Sequence, residues 1–200
     1  MGGARLTAPV KLIDTTRHGD ARGWFVESYR KDALEHLGIA GEFVQDNHSY
    51  SADRFTLRGL HFQAPPAGQD KLIRCIRGRI FDVAVDVRSG SPTFGKWLGC
   101  ELSAANGRQL FVPIGFAHGF LTLEPDCEIV YKCSAFYAPH SEGGIVWNDP
   151  GVGIAWPLPA GMVPTLSAKD EVLPVLSRWD SPFGYDGQPL ESIDGCVGSI

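Results

Sequence analysis

The chain has 200 residues, 44% hydrophobic and 20% charged, the balance of a globular domain able to bury its own core. A net charge of −5, with no run of lysine and arginine, excludes nucleic acid as the main partner, since phosphate-backbone binding needs a basic stripe. No apolar run approaches the about 20 residues that span a bilayer, and MGGARLTAPVKLID lacks a signal-peptide core, so neither a membrane nor export is expected.

Twenty-four glycines and 14 prolines break the chain into short apolar runs, a pattern of an all-β sandwich or barrel. RKDALEHLGI (30–39) predicts a short helix, with Ala33, Leu34 and Leu37 on one side and Gly38 as its stop. KLIRCI (71–76) predicts a strand that turns at Arg77-Gly78 into RIFDVAVDVR (79–88) as a hairpin. In the second strand Phe81, Val83, Val85 and Val87 share one face, while Ile80, Asp82, Ala84, Asp86 and Arg88 share the other. LFVPIGFAHGFLTLE (110–124) reads as two strands joined at Pro113-Ile114-Gly115. CEIVYKCSAFY (127–137) alternates again, with Ile129, Tyr131, Cys133 and Tyr137 on one face. LSAKDEVLPVLSRW (166–179) predicts a second short helix, capped by Ser167 and limited by Pro174. Residues 1–180 read as a single domain, and the turn-rich 181–200 as a poorly ordered tail. The five cysteines, Cys75, Cys100, Cys127, Cys133 and Cys196, contain no C-x-x-C pair. They read as reduced, partly buried thiols of a cytoplasmic protein.

GRQLFVPIGFAHGF carries the Gly107, Pro113, Gly115, His118 spacing of the second cupin motif, which belongs to a double-stranded β-helix barrel. Metal-binding cupins place H-x-H in their first motif, but the matching place here is His61-Phe62-Gln63. An amide is a poor transition-metal ligand beside imidazole, so no metal is expected. GVGIAW (151–156) lacks a third glycine and a following helix, so it is no dinucleotide fingerprint, and no G-x-S-x-G elbow exists. What remains is polar residues set in apolar strand contexts: His61, Lys71, His118, Tyr131 and Asp170, with Arg22, Glu27, Gln45, Asp46, Asn47, Arg58 and Glu142 around them. Each has an ordinary structural explanation when taken singly. Asp170 could cap its helix, Tyr131 could be a satisfied interior tyrosine, and Lys71 could guard a strand edge.

Together they carry a resemblance. GDARGWFVESY, FVQDNHS, LRGLHFQ, DKLIRC, FDVAVDVR, SPTFGKW, RQLFVPIGFAHGF, YKCSAFYAPHSEGGIVWNDP and LSAKD resemble segments of the dTDP-4-dehydrorhamnose 3,5-epimerase family, over nearly all of residues 8–173. The resemblance implies a mainly all-β cupin jelly-roll barrel with short peripheral helices. It also implies a homodimer that acts without a cofactor on a dTDP-linked 4-keto-6-deoxysugar. The implied reaction is epimerisation at C3 and C5 of dTDP-4-dehydro-6-deoxyglucose, giving dTDP-4-dehydro-L-rhamnose for rhamnose biosynthesis. It places the general base at His61, its paired carboxylate at Asp170, the keto-oxygen contact at Lys71 and the general acid at Tyr131. Arg58 matches a diphosphate contact. Lys169, Arg22, Glu27, Gln45, Asp46, Asn47, His118 and Glu142 match substrate contacts, some of which the partner subunit supplies in relatives.

The residue types suit the chemistry. A 4-keto group acidifies both C3 and C5, so one base on one face can serve both centres, and imidazole titrates near neutral pH. Asp170 would fix the tautomer of His61, Lys71 would answer charge on the keto oxygen, and Tyr131 would return the proton. Arg58 and Arg22 let an acidic protein hold a diphosphate. Three alternatives remain at this point: an epimerase inverting C3 or C5 alone, a metal-dependent cupin enzyme, and a non-catalytic sugar-nucleotide binder. Gln63 counts against the second, and the presence of His61, Asp170 and Tyr131 counts against the third.

Overall fold

The short apolar runs become strands that close into two facing sheets. The computed structural model describes residues 9–191 and 197–200. An N-terminal strand β1 (Lys11–Asp14) leads into a small hairpin of β2 (Arg17–Asp20) and β3 (Gly23–Val26), then α1 (Lys31–His36) and β4 (Gln45–Ser51). The centre of the chain forms β5 (Leu57–Gln63), β6 (Lys71–Arg77), β7 (Arg79–Asp86), β8 (Trp97–Ser103), β9 (Gln109–Val112), β10 (Phe116–Thr122) and β11 (Cys127–Cys133). Two short strands follow, β12 (Glu142–Gly144) and β13 (Val197–Ser199).

One sheet has the order β13-β1-β9-β6-β11-β4 and the other β12-β5-β10-β7-β8, while β2 and β3 pair only with each other. Inward side chains of both sheets meet in one core that includes Leu12, Ile73, Ile80, Ala84, Leu98, Leu110, Phe120 and Ile129. The outer face of the five-stranded sheet is also buried. Val83, Val85, Val87 and Ala117 pack there against Ile145, Leu176 and Phe183. On the six-stranded sheet α1 covers Ile13, Leu72 and Phe111 with Leu34. This is the expected mainly-β, cupin-type barrel.

Three local expectations need correction. Arg77-Gly78 does not close a hairpin: β6 and β7 lie in different sheets, and Gly78, at φ +75°, carries the chain over the barrel corner. The second helix is reduced to 3₁₀ turns at Asp170–Val172 and Leu176–Arg178. The cause is Pro174, which drives Leu173 to extended backbone (φ −62°, ψ 144°) and stops the turn. Tyr137 lies beyond the end of β11 and is exposed, so it does not share the inward face of Tyr131. Within 181–191, six residues are exposed, while Phe183 is buried and Asp186 is paired to Arg88. Cys75, Cys100, Cys127 and Cys133 are free and buried; Cys196 and residues 1–8 lie outside the described residues.

Candidate active site

Strand β5 alternates its side chains across the sheet, so Leu60 and Phe62 enter the outer apolar layer while His61 faces the barrel interior. There His61 Nε2 lies 2.6 Å from Asp170 Oδ1. Asp170 starts a 3₁₀ turn and donates its N–H to Ser167 Oγ at 3.2 Å, so the serine caps a turn where a helix was expected. Burial works to raise the Asp170 carboxyl. The hydrogen bond and charge of His61, with bonds from the Gly59 N–H and Ser167, outweigh it and hold the group below the usual carboxylate range. An ionised Asp170 must accept from Nε2–H, which leaves the lone pair on Nδ1 of the ring.

The facing sheet supplies a different set. Tyr131 on β11 and Lys71 on β6 line the same cavity of about 440 Å³ as Arg58, His61, His118 and Asp170. Burial raises the Tyr131 phenol, which keeps it protonated. Burial lowers Lys71, opposed by the charges of Cys133, Asp82 and Glu142. Among the described residues the Lys71 ammonium has no hydrogen-bond or ion-pair partner, so its donors are open to a ligand.

Of the other expected residues Arg58, His118 and Lys169 line this cavity, whereas Glu142, Gln45 and Asn47 are not among its lining. Arg58 lines it, with Nε donating to Ser51 Oγ at 3.2 Å and Nη2 to the Tyr50 carbonyl at 2.9 Å. Lys169 pairs with Glu142 at the rim, and the Tyr137 hydroxyl donates to the other Glu142 oxygen at 3.0 Å. Burial pushes the Glu142 carboxyl up, but Lys169, Tyr137 and the nearby His61 bring it below its ordinary value. On β4, Gln45 donates to Asn47 Oδ1 at 3.0 Å and accepts the Tyr137 N–H at 2.9 Å, while Asn47 reaches Cys133 Sγ at 3.5 Å.

Three residues are not brought to His61. Asp46 is taken by Lys132 at 2.9 Å. Glu27 pairs with Arg30 at 3.1 Å and, with Asp46 and Asn47, lines a separate cavity of about 490 Å³ that Tyr131 also borders. Arg22 sits at the exposed turn of the β2–β3 hairpin, paired to Asp20 at 2.6 Å.

The sequence reading missed Asp82. It is wholly buried, with Oδ1 2.6 Å from His118 Nε2 and with no hydrogen bond to Oδ2. His118 is the cross-strand partner of His61, so two carboxylate-backed imidazoles stand side by side. An aspartate amid apolar residues on the face opposite Val83 was the available signal, since burying a carboxylate without a partner is costly. Beside them β5 and β10 approach closely at two glycines. A Cβ on Gly59, at φ +126°, would lie 2.6 Å from the Gly119 Cα, and one on Gly119 would lie 2.8 Å from the Arg58 carbonyl. Gln63 does not join the histidines: its amide donates to the Ala67 and Phe136 carbonyls and accepts the Ala138 N–H. Among the described residues no three His, Cys, Asp or Glu side chains are grouped to hold a metal ion.

A carboxylate-backed histidine on one wall of a cupin-type barrel, with a neutral phenol and an open ammonium on the facing wall, defines an acid–base enzyme. The sequence model of dTDP-4-dehydrorhamnose 3,5-epimerases matches residues 7–178, and the chain belongs to that family. It is 51% identical over 170 residues to the dTDP-4-dehydrorhamnose 3,5-epimerase of Salmonella typhimurium, covering 84% of this chain and 91% of that one. The Bacillus anthracis enzyme, solved with TDP and pyrophosphate bound, is 51% identical at a TM-score of 0.80, covering 83% of this chain and 93% of that one. A Legionella pneumophila dTDP-6-deoxy-D-glucose-3,5-epimerase, solved with dTDP-4-keto-L-rhamnose, is 46% identical at a TM-score of 0.80, covering 86% and 89%.

Proposed function

We propose that this epimerase inverts C3 and C5 of dTDP-4-dehydro-6-deoxyglucose to give dTDP-4-dehydro-L-rhamnose, without a cofactor, in dTDP-L-rhamnose biosynthesis. The observation that carries the reading is the placement of His61–Asp170 and Tyr131 on facing sheets around one cavity, with the Lys71 ammonium open between them. In this scheme the Nδ1 lone pair of His61 takes the proton from a carbon beside the ketone. The electron pair moves onto the keto oxygen, where Lys71 meets the new charge. Tyr131 then delivers a proton to the opposite face, and the carbon is inverted. C3 and C5 flank the same ketone, so the same three groups serve each in turn.

Asp170 holds the imidazole in its basic tautomer and balances the imidazolium that forms. Arg58, Lys169, Glu142, His118 and the β4 residues Gln45 and Asn47 would contact the sugar nucleotide. Arg22, Glu27 and Asp46 stand apart from this cavity, and the hairpin bearing Arg22 exposes Trp24 and Phe25 at 61% and 67%. Our reading is therefore a homodimer in which these groups serve the site of a second copy. No helix among the described residues is long and apolar enough to cross a membrane, and a cytoplasmic location fits a nucleotide-sugar pathway.

The deciding experiment is incubation with dTDP-4-keto-6-deoxyglucose in heavy water, followed by NMR. Deuterium at both C3 and C5 of a rhamno-configured product is expected. Label and inversion at one centre alone would make the chain a C3 or C5 epimerase of a related sugar.

A further inference from the structure

We infer that the segment 179–191 is a positioning brace for the catalytic wall, acting on His61 through its neighbour Phe62. The family model ends at residue 178, so this segment lies outside the residues it matches. It nevertheless carries two of the three rings that meet behind His61. Phe62 packs against Trp179 at 4.6 Å between ring centroids and against Phe183 at 5.6 Å, edge to face. Trp179 and Phe183 are themselves 6.3 Å apart.

On its other side the Phe62 ring lies against β12 so closely that a Cβ at Gly143 would collide with it. That strand pairs Gly144 with His61 and Glu142 with Gln63. The ring is therefore clamped between the C-terminal segment and the backbone that sets the height of His61 in the barrel. Because His61 and Phe62 are consecutive on one strand, a roll of that strand that shifts the Phe62 ring moves the imidazole the opposite way.

The brace has its own anchors. The Ser89 N–H donates to the Phe183 carbonyl at 2.8 Å, and the Tyr185 N–H returns to the Ser89 carbonyl at 3.1 Å. Arg88, buried to 3% exposure, donates to Asp86 at 2.7 Å and to Asp186 at 2.7 Å. Its guanidinium lies 4.4 Å from the Phe116 ring and 5.3 Å from that of Tyr185. Phe116 opens β10, the strand of His118, with its ring in the inner core, so the Arg88 that Asp186 holds also reaches the second histidine strand. Deleting Asp186 leaves Arg88 still paired with Asp86, which makes the anchor separable from the buried charge.

The test uses full-length Phe183→Ala, Phe183→Leu and Asp186→Asn. The first readout needs no substrate: the downfield proton of the short His61–Asp170 hydrogen bond, assigned by its disappearance in His61→Ala. Phe183→Ala should shift or broaden that signal. It should lower kcat about tenfold with KM within about twofold, since a small misplacement of the base acts on chemistry and not on binding. Phe183→Leu should restore most of both, and Asp186→Asn should fall between. A folded Phe183→Ala with wild-type signal and kcat overturns the brace, as does a loss of activity that merely tracks the unfolded fraction. If Phe183→Ala does not fold, a wild-type signal and kcat in Asp186→Asn overturn it equally. The kinetic arm rests on the proposed epimerase reaction. Should the wild-type protein fail to turn over that sugar, the function fails and the proton signal alone decides the brace.

Discussion

The two walls of the barrel treat their polar groups in opposite ways. On the five-stranded sheet each histidine already has a carboxylate, Asp170 for His61 and Asp82 for His118, both at 2.6 Å. On the six-stranded sheet Lys71 has no hydrogen-bond or ion-pair partner among the described residues, and burial raises the Tyr131 phenol further. A base must have its tautomer and direction fixed before substrate arrives, because reorganising it during proton transfer slows the reaction. An electrophile gains from being unsatisfied, because its hydrogen bond is then first completed by the developing charge. One wall is prearranged by pairing, and the other, where Asn47 bonds Tyr131, keeps its Lys71 ammonium for the substrate.

The largest effect should come from breaking the paired wall. His61→Ala should reduce hydrogen exchange at C3 and C5 together by about 10³-fold or more, read as deuterium uptake in heavy water. Asp170→Asn should slow both centres by about 10²-fold without unfolding the protein. Wild-type exchange at either centre in His61→Ala would mean that a second base exists, and His118–Asp82 would be its address. Tyr131→Phe attacks the other wall and should separate deprotonation from inversion. A carbanion lacking its acid returns to the histidine side and picks up solvent hydrogen there. Deuterium should therefore appear in recovered starting sugar while rhamno-configured product drops steeply.

Lys71→Met sharpens the contrast, because activity and stability should move in opposite directions. Removing a preorganised donor to an oxyanion costs about 10²–10³-fold in kcat. Burial lowers the Lys71 pKa, so the folded chain sheds this proton at lower pH than the unfolded chain does. The destabilisation is thus full below the lowered value and fades as pH rises from there toward 10.5. Methionine removes that cost, and the melting midpoint at pH 7 should rise by about 2–4 °C. The smallest effect is expected from EDTA. Gln63 is committed to three backbone partners, so exhaustive chelation should leave turnover unchanged. A loss restored by a divalent ion would break the scheme.

Much of this was legible in the sequence because strand alternation is local. His61 on β5, Lys71 on β6, His118 on β10 and Tyr131 on β11 all point inward, as period-two reading requires. The helix at 31–36 and its Gly38 stop, at φ +80°, follow from residues within ten positions of each other. Sheet membership is not local. Nothing within 71–86 says that β6 and β7 part at Gly78 and join different sheets, because that choice is made by distant partners β9, β11, β8 and β10. Asp82 escaped for a related reason: its partner His118 is 36 residues away. Residues 181–191 read as a loose tail because their turn formers were visible, whereas the buried Arg88 that receives Asp186 was not.

The contact between Gly59 and Gly119 has a consequence for how this protein is mapped. Two backbones pass there with no room for a methyl group, Gly119 next to His118 and Gly59 two positions before His61. In a saturation library scored by activity alone, both positions should reject every substitution as firmly as His61 itself. Neither has a side chain with which to perform chemistry. A screen without a separate measure of folding would therefore report two catalytic residues too many, and the error would fall where the true ones are densest.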